Sequence, residues 1–277
     1  METSDRKRIV LNTRSMEQQD ALSLPFEAAG FSVAPFPSIS VKLVLGGNAW
    51  GTAVPHLYDK TLSWIVFTSA HAVASLAANI KKMQEESSIC IDGTPLPSIA
   101  CIGATTADAV REYLGVDPVY VSQTATGAYL AAHLPLSDYD RILLPQSNIA
   151  RPETAQILSQ RRAVVIEIVA YKTVIGRGGV EAHRMISHGE IDLLSFTSPS
   201  TVTGFMARLA QEGLTVKDIR HIPAVCIGPT TFEAALKFNL NLIPHSAEHT
   251  VLGMAESASS YFDTLDTPIR KTTILNS

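Results

Sequence analysis

Leu62-Ser63-Trp64-Ile65-Val66-Phe67-Thr68-Ser69 is an apolar run that breaks into two hydroxyls, and Ile191-Asp192-Leu193-Leu194-Ser195-Phe196-Thr197-Ser198 repeats it. Phe67 and Phe196 lie 129 positions apart, and Val73 recurs as Val202 at the same spacing. Downstream, Ala100-Cys101-Ile102-Gly103-Ala104-Thr105-Thr106 returns as Val225-Cys226-Ile227-Gly228-Pro229-Thr230-Thr231 at a spacing of 125, with Ala109 recurring as Ala234. A weaker third pair is Arg8-Ile9-Val10-Leu11 with Arg141-Ile142-Leu143-Leu144. Self-similarity that keeps its order marks two copies of one structural unit.

Within each copy a short apolar run, a polar turn, an amphipathic stretch and another apolar run follow one another, the pattern of parallel strands joined by helices. It predicts strands near 8–12, 32–36, 64–68, 99–103 and 118–121, with helices near 16–29, 70–83, 105–114 and 126–133. The second copy gives strands near 141–145, 164–170, 192–197, 223–227 and 241–243, with helices near 151–160, 199–212, 230–238 and 249–262. The fold class is therefore α/β, with two doubly wound parallel sheets.

The 277 residues suffice for two domains, each with its own core. At 46% hydrophobic and 17% charged, the composition excludes a disordered chain and a basic nucleic-acid arm. The formal charge of -4 supplies no general positive field, so no nucleic-acid partner is expected and an anionic ligand must be held locally. Nothing approaches the roughly 18 uninterrupted apolar residues of a membrane span. The polar start, Met1 to Arg8, lacks a signal-peptide apolar region, which makes a cytoplasmic location the expectation. Cys90, Cys101 and Cys226 form no Cys-x-x-Cys pair, as suits a reducing compartment, and Cys101 and Cys226 lie in apolar runs that read as buried packing.

In open parallel sheets ligands bind beyond the carboxyl ends of the strands, where helices present free backbone N–H groups. The repeated motifs stand at such places. Ser198 reads as an N-cap with Pro199 at the first helical position. Thr105-Thr106 and Thr230-Thr231 follow a glycine that reads as permitting a tight turn. Taken singly, these hydroxyls are helix caps, each contributing about 1 kcal/mol. Capping alone does not need Thr-Thr twice, and helix starts with hydroxyls can hold a carboxylate-rich ligand without a basic chain.

Gly176-Arg177-Gly178-Gly179 is not a phosphate loop and reads as a flexible connection. Surface or core positions are the default for the eight histidines, and no metal site is expected. No Gly-x-Ser-x-Gly is present, and the cysteines have no evident histidine partner, which leaves no nucleophile for covalent catalysis. Tyr171, closing the apolar stretch 163–170, is either a half-buried strand tyrosine or a phenol able to donate a proton.

Asn12-Thr13-Arg14, the paired Phe-Thr-Ser segments, Ile102-Gly103, Ile227-Gly228-Pro229-Thr230-Thr231, Leu143-Leu144-Pro145 and Val169-Ala170-Tyr171-Lys172-Thr173 together resemble the uroporphyrinogen-III synthase family, from about Ile9 to about Ala255. The resemblance implies two similar flavodoxin-like lobes, joined by a two-stranded connector, with a ligand cleft between them. On that pattern residues 1–36 plus 174–262 form one lobe, 40–170 the other, 37–39 and 171–173 the connector, and 263–277, with Arg270 and Lys271, a tail. The implied reaction cyclises hydroxymethylbilane, which bears eight carboxylates, to uroporphyrinogen III with loss of water and inversion of ring D. Tyr171 matches the tyrosine proposed to assist loss of the hydroxyl. Arg14, Thr68, Ser69, Thr105, Thr106, Thr197, Ser198, Ser200, Thr230 and Thr231 are the implied substrate contacts. No metal or organic cofactor is implied. The protein is expected to act as a monomer, with porphobilinogen deaminase handing over the substrate. Ser15, and Gln146-Ser147 after Leu144-Pro145, depart from the family pattern.

Two other readings compete. A noncatalytic relative binding a tetrapyrrole or another polyanion would keep the hydroxyl-rich turns but not turnover, and the lack of an appended signalling domain argues against it. A two-lobed solute-binding protein is disfavoured by the lack of an export signal.

Overall fold

The computed structural model describes residues 6–87 and 95–266; Cys90, Arg270 and Lys271 lie outside the described residues. In chain order the elements are β1 (Ile9–Asn12), α1 (Gln19–Ala28), β2 (Ser32–Pro35), β3 (Ile39–Leu43), α2 (Gly47–His56), β4 (Trp64–Phe67), α3 (Ala70–Ser87), β5 (Ser98–Cys101), α4 (Ala104–Leu114), β6 (Tyr120–Val121) and α5 (Gly127–His133). They continue with β7 (Arg141–Ser147), α6 (Glu153–Gln160), β8 (Val164–Ile175), α7 (Ala182–Ser187), β9 (Leu193–Phe196), α8 (Pro199–Gln211), α9 (Val216–Ile219), β10 (Pro223–Cys226), α10 (Pro229–Leu236), β11 (Asn241–Leu242) and α11 (Val251–Asp266). All ten strands and all eight helices read from sequence periodicity are present. Four elements are additional: β3, α2, α7 and α9. The last helix runs through Asp266, so 263–266 is helical.

The chain divides into two compact units, Met1–Ser40 with Val174–Ser277, and Val41–Thr173. In the first, the sheet order is β11-β10-β9-β1-β2, and every ladder is parallel. In the second, the order is β3-β8-β7-β4-β5-β6, and the ladders from β8 to β6 are parallel. The repeat pairs β4 with β9, β5 with β10 and β7 with β1. These strands occupy the same places in the two sheets, with β6 matching β11 and β8 matching β2. The five strands common to both units are thus circularly permuted: in chain order the shared set begins at β1 in the first unit and at β4 in the second. The chain passes between units within β3 and within β8, which are neighbours in the sheet.

Both faces of each sheet are covered, which explains near-continuous apolar strands. In the first unit Leu11, Leu194, Ala224 and Cys226 pack on one side with α7 to α10, while Val10, Leu193 and Val225 pack on the other with α1 and α11. In the second, Ile65, Phe67, Ile99, Cys101 and Leu143 face α2, α3 and α4, and Trp64, Val66, Ala100, Ile142 and Leu144 face α5 and α6. The period of two assigns neighbours to opposite cores.

The 176–179 segment is packed rather than a loose connection. A Cβ on Gly176 would meet the Pro37 carbonyl oxygen at 2.1 Å, and one on Gly179, at φ +80°, would meet that of Pro35 at 2.1 Å. Arg208, 7% exposed, donates to the carbonyls of Pro37 and Gly178, both at 2.7 Å, pairs with Glu212 and lies 3.6 Å over the Phe36 ring.

Candidate functional site

Parallel ladders bring the carboxyl ends of the strands to one edge of each sheet, so the turns that follow them gather there. In the first unit the chain runs from β1 to β2 on one side and returns to β9 on the other, which places the switch point between β1 and β9. In the second unit it lies between β4 and β7. Crevices at such points are where doubly wound sheets bind ligands. Thr197-Ser198 follows β9 and Thr68-Ser69 follows β4, so each Phe-Thr-Ser turn flanks a switch point.

The four helix starts differ in how their backbone groups are satisfied. At α8, Ser198 is the N-cap, Pro199 is first in the helix, and Ser198 and Thr201 cap one another reciprocally. The Ser198 hydroxyl also lies 2.9 Å from that of Ser200. At α3, Ser69 Oγ accepts the His71 amide at 3.2 Å. By contrast, α4 and α10 have Gly103 and Gly228 as N-caps and no side-chain cap. Capping therefore does not account for the Thr-Thr pairs. They stand at the second and third helical positions, beside first-turn N–H groups that no side chain caps.

The two members of each pair diverge in the same way. Thr105 and Thr230 are exposed, whereas Thr106 is 4% exposed and Thr231 3%. At either helix start the first threonine faces solvent, and the second is packed. Neither glycine is needed for a left-handed turn, since both backbones are extended. At Gly228 the constraint is a neighbour: a Cβ would stand 3.2 Å from ring carbons of His249. That ring lies 5.9 Å from His245, itself 5.6 Å from Phe232 on α10.

Beyond β1, Arg14 Nη2 donates to Gln18 at 2.9 Å, while its Nε and the Gln19 Oε1 are buried without a hydrogen-bond partner. Burial lowers the Arg14 pKa from its ordinary value. The unmatched Nε is an exception to the pairing that buried polar groups ordinarily find. The Thr13 hydroxyl donates to the Ser195 carbonyl and ties β1 to β9 below this point.

In the second unit Tyr171 is half-buried where the β7–β8 register shifts and Ser147 pairs with it. Its carbonyl accepts the Asn148 amide at 3.1 Å. Its ring lies 5.4 Å from that of His71, tilted by 44°. Gln146 donates to Glu167 at 2.6 Å, and Ser147 Oγ lies 3.4 Å from that of Thr173. Thr68 and Thr197 are half-buried at their turns, as is Ser200.

His71 and His249 are the neighbours that sequence reading missed. His71 had one signal, its place two residues after Ser69; His249 is distant from Gly228 in sequence and had none. Cys101 and Cys226 are fully buried, and burial pushes both thiols up to about 12, which removes them as nucleophiles. Among the described residues, no three His, Cys, Asp or Glu side chains gather to hold a metal ion, and no helix is long and apolar enough to cross a membrane.

The sequence is 25% identical over 239 residues to the porphyrin biosynthesis protein HemD of Ruminiclostridium josui, covering 84% of this chain and 45% of that protein. The chain thus spans less than half the length of that relative. It is 22% identical over 239 residues to the uroporphyrinogen-III synthase of Chlorobaculum parvum, covering 85% of this chain and 91% of that one. A crystal structure of a mutant uroporphyrinogen III synthase from the extremely thermophilic bacterium Thermus thermophilus shares the fold, with TM-score 0.59 and 17% identity over 94% of this chain and 99% of that one. The family model for uroporphyrinogen-III synthase HemD matches residues 20–256, and with that span, and with two doubly wound units whose switch points carry the repeated turns, the chain belongs to the uroporphyrinogen-III synthase family.

Proposed function

We propose that this protein is a cyclising lyase that converts hydroxymethylbilane to uroporphyrinogen III, with loss of water and inversion of ring D, in tetrapyrrole biosynthesis. The observation that carries the reading, beside family membership, is the recurrence in both units of a glycine-capped helix start with an exposed threonine. Thr105 and Thr230, with the free first-turn N–H groups beside them, are suited to carboxylates. Thr68, Ser69, Thr197, Ser198, Ser200 and Arg14 extend this set. Thr106 and Thr231 serve by holding their helices in place.

Hydroxymethylbilane closes unaided at its free terminal carbon, giving the symmetric isomer. The enzyme must instead present the substituted α-carbon of ring D, a task of positioning. Tyr171 donates its phenolic proton to the terminal hydroxyl as the C–O bond breaks with its electron pair on oxygen, and water leaves. The resulting azafulvene attacks the substituted carbon, and a spiro intermediate fragments and recloses with ring D inverted. A proton released on re-aromatisation restores the phenol. We place the protein in the cytoplasm, as a monomer supplied by porphobilinogen deaminase, and assign the reaction no metal or organic cofactor.

The test couples the purified protein to porphobilinogen deaminase and resolves the type I and type III products. Type III product is expected, and type I alone from folded protein would refute the assignment. Tyr171→Phe should lower kcat by about a hundredfold with little change in product affinity; an unchanged rate removes Tyr171 from the chemistry.

A further inference from the structure

Tyr171 is carried on β8, and the switch point of its unit lies between β7 and β4, with β7 separating β8 from β4. Adjacent strands are about 4.8 Å apart, so β8 and β4 are separated by roughly 10 Å. Yet the ring of His71, the second residue of the helix that follows β4, stands 5.4 Å from the Tyr171 ring. The two side chains therefore meet across the end of β7. The register shift at Ser147 re-aims the strand there, as such irregularities do.

His71 is itself held. Its amide donates to Ser69 Oγ at 3.2 Å, and its Nδ1 lies 3.5 Å from the same oxygen. At the spacing of 129, the residue matching His71 in the other copy is Ser200, whose hydroxyl likewise lies beside the serine of its turn, Ser198. The contact between the turn serine and the second helical residue is common to both copies. The second unit has an imidazole there where the first has a hydroxyl, and Tyr171 is the ring that imidazole meets.

We propose that His71 is a positioning residue for Tyr171, bracing the phenol at the switch point of the second unit so that its hydroxyl meets the departing group. The inference rests on the proposed synthase reaction. It gives the Phe-Thr-Ser-Ala-His segment a role in turnover as well as in binding. The ring, rather than a proton on it, does the bracing, so an aromatic replacement should suffice.

The experiment measures kcat and KM for type III formation in wild type, His71→Ala, His71→Asn, His71→Phe, Tyr171→Phe and the Tyr171→Phe/His71→Ala double variant. Loss of the brace should lower kcat about tenfold or more in the Ala and Asn variants, with KM changed less than about twofold, because a misplaced catalytic group costs rate and not substrate binding. His71→Phe should recover kcat to within about threefold of wild type. His71→Ala should add nothing once the phenol is gone, since a residue acting through another shows full coupling in a double-mutant cycle. If the Ala variant does not fold, the Asn variant, which keeps a polar group near Ser69, decides. An unchanged kcat, a rise in KM alone, a Phe variant no better than Ala, or additive losses in the double variant would each overturn the proposal. A wild type that forms no type III product removes the synthase reading and this inference with it; an active wild type with unaffected variants removes the inference alone.

Discussion

Thr105 and Thr106 are neighbours in the chain, as are Thr230 and Thr231, yet in each pair one hydroxyl is exposed and the other buried. A helix turns by about 100° per residue, so adjacent residues in its first turn divide between solvent and core. Thr105→Val and Thr230→Val should each raise the KM for hydroxymethylbilane about tenfold, the cost of a hydrogen bond to a charged group. Thr106→Val and Thr231→Val should leave it within about twofold. Steady-state kinetics on the four variants checks the division, and equal effects within a pair would show that exposure does not decide contact. The doubled threonines are legible in the sequence, but which of the two can reach a ligand is not. The phase of a helix against its sheet is set by packing.

Among the elements, strands and long helices announce themselves, and short or interrupted ones do not. α2 carries Gly47, Gly51 and Pro55, a poor helix composition, and is helical because Trp50, Ala53 and Val54 are buried in the core of the second unit. Tertiary burial overrides local preference there. At α8 the sequence is explicit, since Ser198 and Pro199 spell the cap that forms, and the structure adds Thr201 as its reciprocal partner. Gly204 in the same helix has no local signal. A Cβ there would meet Ile39 Cγ2 at 2.5 Å and the Ser38 carbonyl oxygen at 2.6 Å, so the strand leaving the first unit lies directly against the helix. Gly204→Ala should destabilise the protein by about 1–3 kcal/mol, read from the urea midpoint. An unshifted midpoint would mean that the close approach is not maintained in solution.

At the scale of the whole molecule, among the described residues each unit holds one buried thiol at the end of an equivalent strand, Cys101 on β5 and Cys226 on β10. Both are pushed by burial from an ordinary 9.0 up to about 12. The unfolded chain therefore releases these protons first as pH rises through 9, and stability falls between about 9 and about 12. At about pH 10.5 each thiol should have cost roughly 2 kcal/mol relative to pH 8. Other groups titrate in this window, so the measurement is the difference in denaturation between wild type and Cys101→Ala/Cys226→Ala at the two pH values. A slope shared by wild type and variant would show that the thiols do not carry it.

The sequence by itself determined that the chain holds two copies of one parallel α/β unit, because strand periodicity, turn residues and order recur at a spacing of 125 to 129 residues. It also supplied every residue of the two Phe-Thr-Ser turns, since a strand that ends in hydroxyls before a helix is a local pattern. Tertiary structure alone decided that the strands common to both copies are circularly permuted, because two chain orders can fill the same sheet positions. It alone brought His71 to Tyr171 across β7 and His249 onto Gly228. Such meetings depend on which strands become neighbours, and that follows from burying both faces of a sheet at once, a condition no local stretch of sequence contains.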